Sequence, residues 1–162
     1  MTIYEADWVC PVSSPAVRNG RIAVENGRIV SEVSGAKGEI IRFPHCAIIP
    51  GFVNAHCHLE LTILRGFLDD LPFGEWIPRL THAKYQSLSR DDMLLSAQFG
   101  AVEMLRAGVT CVGEVMDLGT GWQAMREFGL RGIAFQEVFG PAEGQAESRA
   151  RAHQRCRVGR IG

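Results

Sequence analysis

Residues 50–60 read PGFVNAHCHLE, an apolar run that ends in polar side chains, as expected of a buried strand. Because side chains alternate between the two faces of a strand, His56 and His58 are predicted to share one face, with Cys57 on the other. Two neighbouring imidazoles could hold one divalent ion, with Zn–N distances of about 2.0–2.1 Å. Such an ion would acidify water and polarise a substrate. A bare HxH pattern also occurs in strands whose histidines are structural, so the surrounding sequence must decide.

The sequence after this stretch alternates between helical and strand patterns. A loop is predicted at 65–78, a helix from Ser89 to Gly108, a strand at 109–115, a short helix at 120–129, a strand at 130–138 and a weak helical pattern from Glu143. Alternating elements of this kind imply parallel strands with crossover helices. A doubly wound sheet and a (β/α)8 barrel both fit, but no GxGxxG or GxxxxGK[ST] motif follows the first strand, which disfavours a nucleotide-binding sheet.

The sequence before this stretch has the pattern of a small antiparallel β unit. Asn19-Gly20 and Asn26-Gly27 stand between short apolar runs, and Asn-Gly favours tight hairpin turns. The segments IIRF and CAII are predicted to form two further short strands. We therefore expect a β domain over residues 1–48 and an α/β domain over residues 49–162.

Composition excludes several classes of protein. The chain has 162 residues, 46% of them hydrophobic, and a net charge of -1, so charge implies no nucleic-acid or membrane partner. No apolar run approaches the roughly 20 residues of a membrane-spanning helix, and the N-terminus lacks the basic region of a signal peptide. Five cysteines without CxxC spacing indicate free thiols in the cytoplasm.

Several separate blocks resemble one family. PGFVNAHCHLELT resembles the first barrel strand of the amidohydrolase superfamily, in the branch of cytosine deaminase and chlorohydrolase-like enzymes. ADWVCPVSSPAVRNGRIAVENGRIV resembles the N-terminal β strands of that branch, and EMLRAGVTCVGEV its first helix and second strand. GLRGIAFQEVFG is similar to the third strand of aminodeoxyfutalosine deaminase-like members. The resemblance implies the first three βα units of a (β/α)8 barrel, preceded by part of a small β-sandwich.

The resemblance also implies a site. His56 and His58 would be the first two ligands of a divalent metal, zinc or alternatively iron. Glu114 and Gln136, near the ends of the second and third strands, and Trp76, in the first loop, are predicted substrate contacts. The family's later ligands and its acid/base glutamate follow the third strand, so no catalytic residue is assigned, and His153 has no matching context. The implied reaction is deamination of an aminated N-heterocyclic small molecule, with dechlorination, cyclic-amide hydrolysis or a non-catalytic product as alternatives.

Two further observations limit this interpretation. His58-Leu59-Glu60 matches half of the other zinc-deaminase signature, but the P-C-x-x-C half is missing from the sequence. A full barrel takes about 250 residues, so we expect a truncated and inactive chain whose open sheet edge is compatible with an oligomer. The tail from about residue 146 is atypical, with five arginines in RARAHQRCRVGRIG, which favours a frameshift or truncation over a basic binding tail.

Overall fold

A computed structural model of the chain describes residues 1–30, 35 and 37–137. The weak helix predicted from Glu143, the basic tail and His153 lie outside these residues. The contacts divide the chain into two units, Met1–Pro50 and the part that begins at Gly51.

The first unit is a four-stranded sheet of mixed direction. Its strands are β1 (Thr2–Val9), β2 (Val17–Glu25), β3 (Arg28–Val30) and β4 (Glu39–Ile48), in the spatial order β3-β2-β1-β4. The pairs β1–β2 and β2–β3 are antiparallel, but β4 returns beside β1 and runs parallel to it. The prediction of a purely antiparallel unit is therefore wrong, because local turn signals do not report where a later strand docks.

One of the two predicted Asn-Gly turns forms. Asn26 and Gly27 have φ angles of 50° and 73°, as a tight hairpin requires, and they connect β2 to β3. Asn19-Gly20 instead lies inside β2, where a Cβ on Gly20 would come within 2.6 Å of Val9 Cγ2. The segments predicted as two short strands form the single strand β4, with a register shift near His45, whose φ is 58°.

The second unit is a parallel α/β arrangement. Its sheet has the order β5-β6-β7, with strands β5 (Phe52–Cys57), β6 (Val109–Met116) and β7 (Arg131–Gln136), and its helices are α1 (Phe73–His82), α2 (Arg90–Arg106) and α3 (Thr120–Phe128). A 3₁₀ helix (Leu59–Leu64) follows β5, and a π turn (Ala83–Ser87) follows α1. The predicted strand–helix alternation is confirmed, but the loop predicted at 65–78 is wrong in part, because α1 begins at Phe73 directly after Pro72.

Helix α2 begins where its sequence predicts. Ser89 Oγ accepts the Asp92 N–H at 3.1 Å, and the Ser89 N–H donates to Asp92 Oδ2 at 2.9 Å, which forms a capping box. The helix buries a stripe of small and apolar residues, including Met93, Ala97 and Ala101. Ser96 Oγ accepts the N–H of Ile63 at 2.8 Å, which ties the 3₁₀ helix to α2.

The core of the second unit lies between the sheet and its helices. Its buried members are Cys57, Leu59, Ala97, Ala101, Val112, Ala124, Met125 and Leu130. Helix α3 ends at Gly129, which has a φ of 66°, and the chain then enters β7. No helix in the described part of the chain is long and apolar enough to cross a membrane.

Candidate metal centre

His56 and His58 meet at the carboxyl end of β5. Their Nε2 atoms are 3.2 Å apart and their ring centroids 5.1 Å apart. Two ligand nitrogens of one tetrahedral zinc, each at about 2.05 Å, stand about 3.3 Å apart. The same spacing allows an N–H···N hydrogen bond between the rings when one Nε2 carries a proton. The pair therefore has the geometry of two neighbouring metal ligands, as the alternation of side chains predicts.

An irregularity in β5 supports this arrangement. The register against β6 shifts between Asn54 and Cys57, which pair with Val112 and Glu114, so three steps along β5 match two along β6. Asn54 Nδ2 lies 3.7 Å from Met104 Sδ on α2, and Asn54 Oδ1 accepts the His56 N–H at 3.2 Å. Asn54 thereby orients the backbone of His56. Alternation alone does not predict this bulge.

Cys57 points away from the histidines into the helix-facing core, where its side chain is buried. Its Sγ–H donates to Glu114 Oε2 at 3.2 Å. Burial raises the pKa of the Cys57 thiol above its usual range, and the neighbouring Glu114 carboxylate adds to this effect. Cys57 is therefore a neutral thiol on the face opposite to the imidazoles.

Glu114 is fully buried on the same side of the sheet as Cys57. Both of its carboxylate oxygens accept the Leu59 N–H, at 3.0 and 2.9 Å. Burial raises the pKa of Glu114 to about 7, although the hydrogen bonds from Leu59 and Cys57 oppose the shift. The carboxylate faces the helices rather than the histidine side, so the predicted contact between Glu114 and substrate has no support in this geometry.

A second buried carboxylate, Glu60, binds the start of α3. Its Oε1 accepts the Thr120 N–H at 3.0 Å and the Thr120 hydroxyl at 2.9 Å. Lys84 Nζ lies 3.3 Å from Glu60 Oε2 and also pairs with Asp117. Burial opposes ionisation of Glu60, but the hydrogen bond with Asp117 and the charge of Lys84 outweigh it, so the pKa of Glu60 lies below its usual value.

Glu60 stands out in the sequence only as the last residue of His58-Leu59-Glu60, and nothing in the sequence indicates Lys84 or Asp117. Burial raises the pKa of Asp117 above its ordinary value, although the hydrogen bond with Lys84 opposes this shift. Neither Lys84 nor Asp117 belongs to a motif, and they join Glu60 only through folding. Helical spacing predicts contacts within one helix and does not predict a contact between separate segments of the chain.

The other two predicted substrate contacts lie at the ends of elements. Gln136 closes β7, and its Nε2 donates to the carbonyl oxygen of Asp117 at 3.0 Å, which joins the carboxyl ends of β6 and β7. Trp76 lies in α1 and stacks on the exposed ring of Phe73, with centroids 5.9 Å apart. Contact of Gln136 and Trp76 with substrate stays a prediction. Within residues 1–30, 35 and 37–137, no group of three or more His, Cys, Asp or Glu side chains could hold a metal ion.

The sequence profile of the amidohydrolase family matches residues 47–159. The chain belongs to the amidohydrolase family. This amidohydrolase chain is 32% identical to a 5-methylthioadenosine/S-adenosylhomocysteine deaminase from Desulforudis audaxviator over 146 residues, which cover 84% of the chain and 33% of the relative. It is 33% identical to a 5'-deoxyadenosine deaminase from Methanococcus vannielii over 114 residues, which cover 69% of the chain and 27% of the relative. The chain thus spans about a third of the length of these curated relatives.

Solved structures show the same architecture. An adenosine deaminase from Xanthomonas campestris with bound zinc superposes with a TM-score of 0.71 and 25% identity, over 98% of the amidohydrolase chain and 40% of that protein. An aminofutalosine deaminase from Helicobacter pylori in complex with methylthio-coformycin superposes with a TM-score of 0.75 over 96% of the chain and 40% of that protein. At 17% identity, the second likeness shows the fold alone. The predicted resemblance to the deaminase branch of the family is confirmed.

Proposed function

We propose that this chain is part of a metal-dependent amidohydrolase that removes ammonia from an aminated N-heterocycle. The supporting observation is the Nε2–Nε2 spacing of 3.2 Å between His56 and His58, in a chain whose relatives are nucleoside deaminases. The proposed ion is zinc, with iron as the alternative. The proposed substrate is a small molecule of the adenine-nucleoside class.

The chain's own residues have defined tasks in this proposal. His56 and His58 would hold the ion through their Nε2 atoms, while Asn54 orients the backbone of His56 through the 3.2 Å hydrogen bond. The ion, when bound, supplies a Lewis acid and a more acidic water. Because protons compete with metal for the imidazole nitrogens, binding should weaken as the pH falls.

Gln136 and Trp76 are the proposed substrate contacts, since Gln136 closes β7 and Trp76 lies on the half-exposed first turns of α1. Two imidazoles supply part of a coordination sphere, and no proton-transfer residue is assigned in the described part of the chain. We therefore expect this chain alone to release no ammonia. A cytoplasmic location also stays a prediction.

Zinc binding tests the proposal directly. The full chain should compete for zinc with a chromophoric chelator, and His56→Asn or His58→Asn should abolish that competition. His82→Asn is the matched control, because His82 is an exposed histidine at the end of α1. Zinc binding that survives both His56→Asn and His58→Asn would contradict the assignment of these two histidines as metal ligands.

Ammonia release tests the second part of the proposal. The zinc-loaded chain is incubated with 5'-methylthioadenosine and 5'-deoxyadenosine, and ammonia is measured with a coupled enzyme. No release above the metal-free chain is expected. Turnover that depends on His56 and His58 would refute the expected inactivity while supporting the metal site.

A further inference from the structure

The peptide group that follows His58 has an unusual partner. His58 is the residue before the 3₁₀ helix Leu59–Leu64, and the first N–H groups of a helix lack partners within the helix. The side chain of His58 makes no capping hydrogen bond to these groups. Glu114 on the neighbouring strand caps the 3₁₀ helix instead, since both of its carboxylate oxygens accept the Leu59 N–H. The His58 carbonyl oxygen accepts the Leu61 N–H at 3.0 Å, so the backbone of His58 is held on both sides of its peptide.

The Glu114 carboxylate is itself fixed by three elements. Its register partner on β5 is Cys57, whose Sγ–H donates to it at 3.2 Å. The Leu59 N–H approaches from the 3₁₀ helix. Helix α3 closes the third side at Gly121, where an added Cβ would lie 2.8 Å from Glu114 Cδ. Any side chain at position 121 would therefore displace the carboxylate.

We propose that Glu114 is a positioning residue for the metal centre. It holds the His58–Leu59 peptide so that the His58 imidazole meets His56 at the spacing of one metal ion. Glu114 does not touch the ion, because its carboxylate lies on the helix-facing side of the sheet, where it binds Cys57 and Leu59. This inference rests on the proposed metal site, and it reassigns a residue that the sequence pattern placed against the substrate.

Supporting partners of metal ligands are worth about 10–100-fold in metal affinity. In proteins these partners most often act on the ligand's second ring nitrogen. Here the partner is Glu114, and it binds the backbone next to His58 rather than the imidazole. Its loss should lower metal affinity by a similar factor, since a small displacement of His58 changes the distance between the two Nε2 atoms. A residue with a merely structural role would lower stability without changing this distance.

The test measures the zinc dissociation constant of the full chain by chelator competition. Glu114→Ala should raise the constant about 10–100-fold, and Glu114→Gln should raise it less, because one amide oxygen can still accept the Leu59 N–H. Gly121→Ala should also raise it, by displacing the intact carboxylate. Val112→Ala is the matched control, because Val112 is buried on the same face of β6 two residues earlier and should lower stability without changing zinc affinity.

The absorption spectrum of the Co²⁺-loaded chain gives a second measurement that stability does not affect. Its ligand-field bands should shift in Glu114→Ala and Gly121→Ala, and stay unchanged in Val112→Ala. Wild-type zinc affinity and cobalt spectra in folded Glu114 variants would overturn the inference and leave the proposed metal site standing. A loss of zinc affinity in Val112→Ala equal to that in Glu114→Ala would also overturn the inference.

The proposed function fails in a different way, namely when wild-type zinc binding does not depend on His56 and His58. If Glu114→Ala does not fold, Glu114→Gln and Gly121→Ala decide the question by the same two measurements.

Discussion

Glu114 should make the stability of the metal-free chain depend on pH. Burial raises its pKa to about 7 from an ordinary value of 4.5, and the nearby charge of Glu60 adds to the shift. The folded state therefore binds this proton more tightly than the unfolded state, so the free energy of unfolding should fall as the pH rises between these two values. At 1.36 kcal/mol per pKa unit, the loss is about 3 kcal/mol.

Urea unfolding at pH 5 and pH 8 measures this effect. Glu114→Gln should lose most of the difference between the two pH values, because an amide does not titrate. Glu75→Gln, on the exposed surface of α1, is the control for loss of a carboxylate. It should keep the wild-type difference in free energy of unfolding between pH 5 and pH 8. The same pH dependence in Glu114→Gln and the wild type would show that another group is responsible.

At the scale of single residues, sequence reasoning worked where the rule is local. The shared face of His56 and His58 follows from alternation across one intervening residue. The task of Glu114 does not, because it depends on which residue of β5 lies opposite, and the bulge after Asn54 decides that register. Lys84 and Asp117 meet Glu60 from separate elements, so no spacing along the chain could have identified them.

Among the elements, the N-terminus of α2 offers a clean stability test. Ser89→Ala removes the side-chain acceptor of the Asp92 N–H and should destabilise the chain by about 1 kcal/mol. Ser87→Ala, at an exposed position just before the helix, is the control. Chemical denaturation of both variants measures the difference, and equal stabilities would show that the capping box contributes nothing.

Lys84 joins three segments of the chain, and its removal should lower the free energy of unfolding more than loss of the Ser89 cap does. The lysine extends from the π turn to Glu60 on the 3₁₀ helix and to Asp117 after β6, and all three side chains are mostly buried. Lys84→Met leaves two buried carboxylates facing each other, which should destabilise the chain by roughly 3–5 kcal/mol.

This loss should shrink in acid, since burial already raises the pKa of Asp117 and its protonation removes one of the two facing charges. Urea unfolding of the wild type and Lys84→Met at pH 5 and pH 8 measures the stability loss at each pH. Lys37→Met removes an exposed cation from the first unit and serves as the control. A Lys84→Met variant as stable as this control would mean that the ionic cluster is energetically neutral.

The two Asn-Gly pairs show why element prediction succeeded in part. Both have the composition of a tight turn, yet only Asn26-Gly27 connects two strands. Asn19 has a φ of 49° within β2, so its backbone takes the turn-like conformation without reversing the chain. Packing decides the difference, since Gly20 lies against Val9 of β1 and a side chain there would separate the two strands.

At the scale of the whole molecule, the two faces of the second unit's sheet differ. The helix-facing side holds the buried core, whereas Val53, Ile133 and Phe135 remain 68%, 47% and 50% exposed. Ile133 and Phe135 alternate with the buried Ala134, which places them on the opposite side of β7 from the helices. In the described part of the chain, the face of this sheet opposite the helices is therefore apolar and open to solvent.

Such a face should make the chain associate with itself as its concentration rises, because exposed apolar patches favour contact between molecules. Sedimentation velocity over a wide concentration range, with a chelator present to prevent bridging by metal, measures the effect. Replacing Phe135 with Ser and Ile133 with Thr should shift the boundary toward the monomer. Ile29→Thr, which removes an exposed apolar side chain from β3, should not. A wild-type chain that stays monomeric throughout would show that this face does not drive association, and would leave both histidines accessible to metal in the isolated chain.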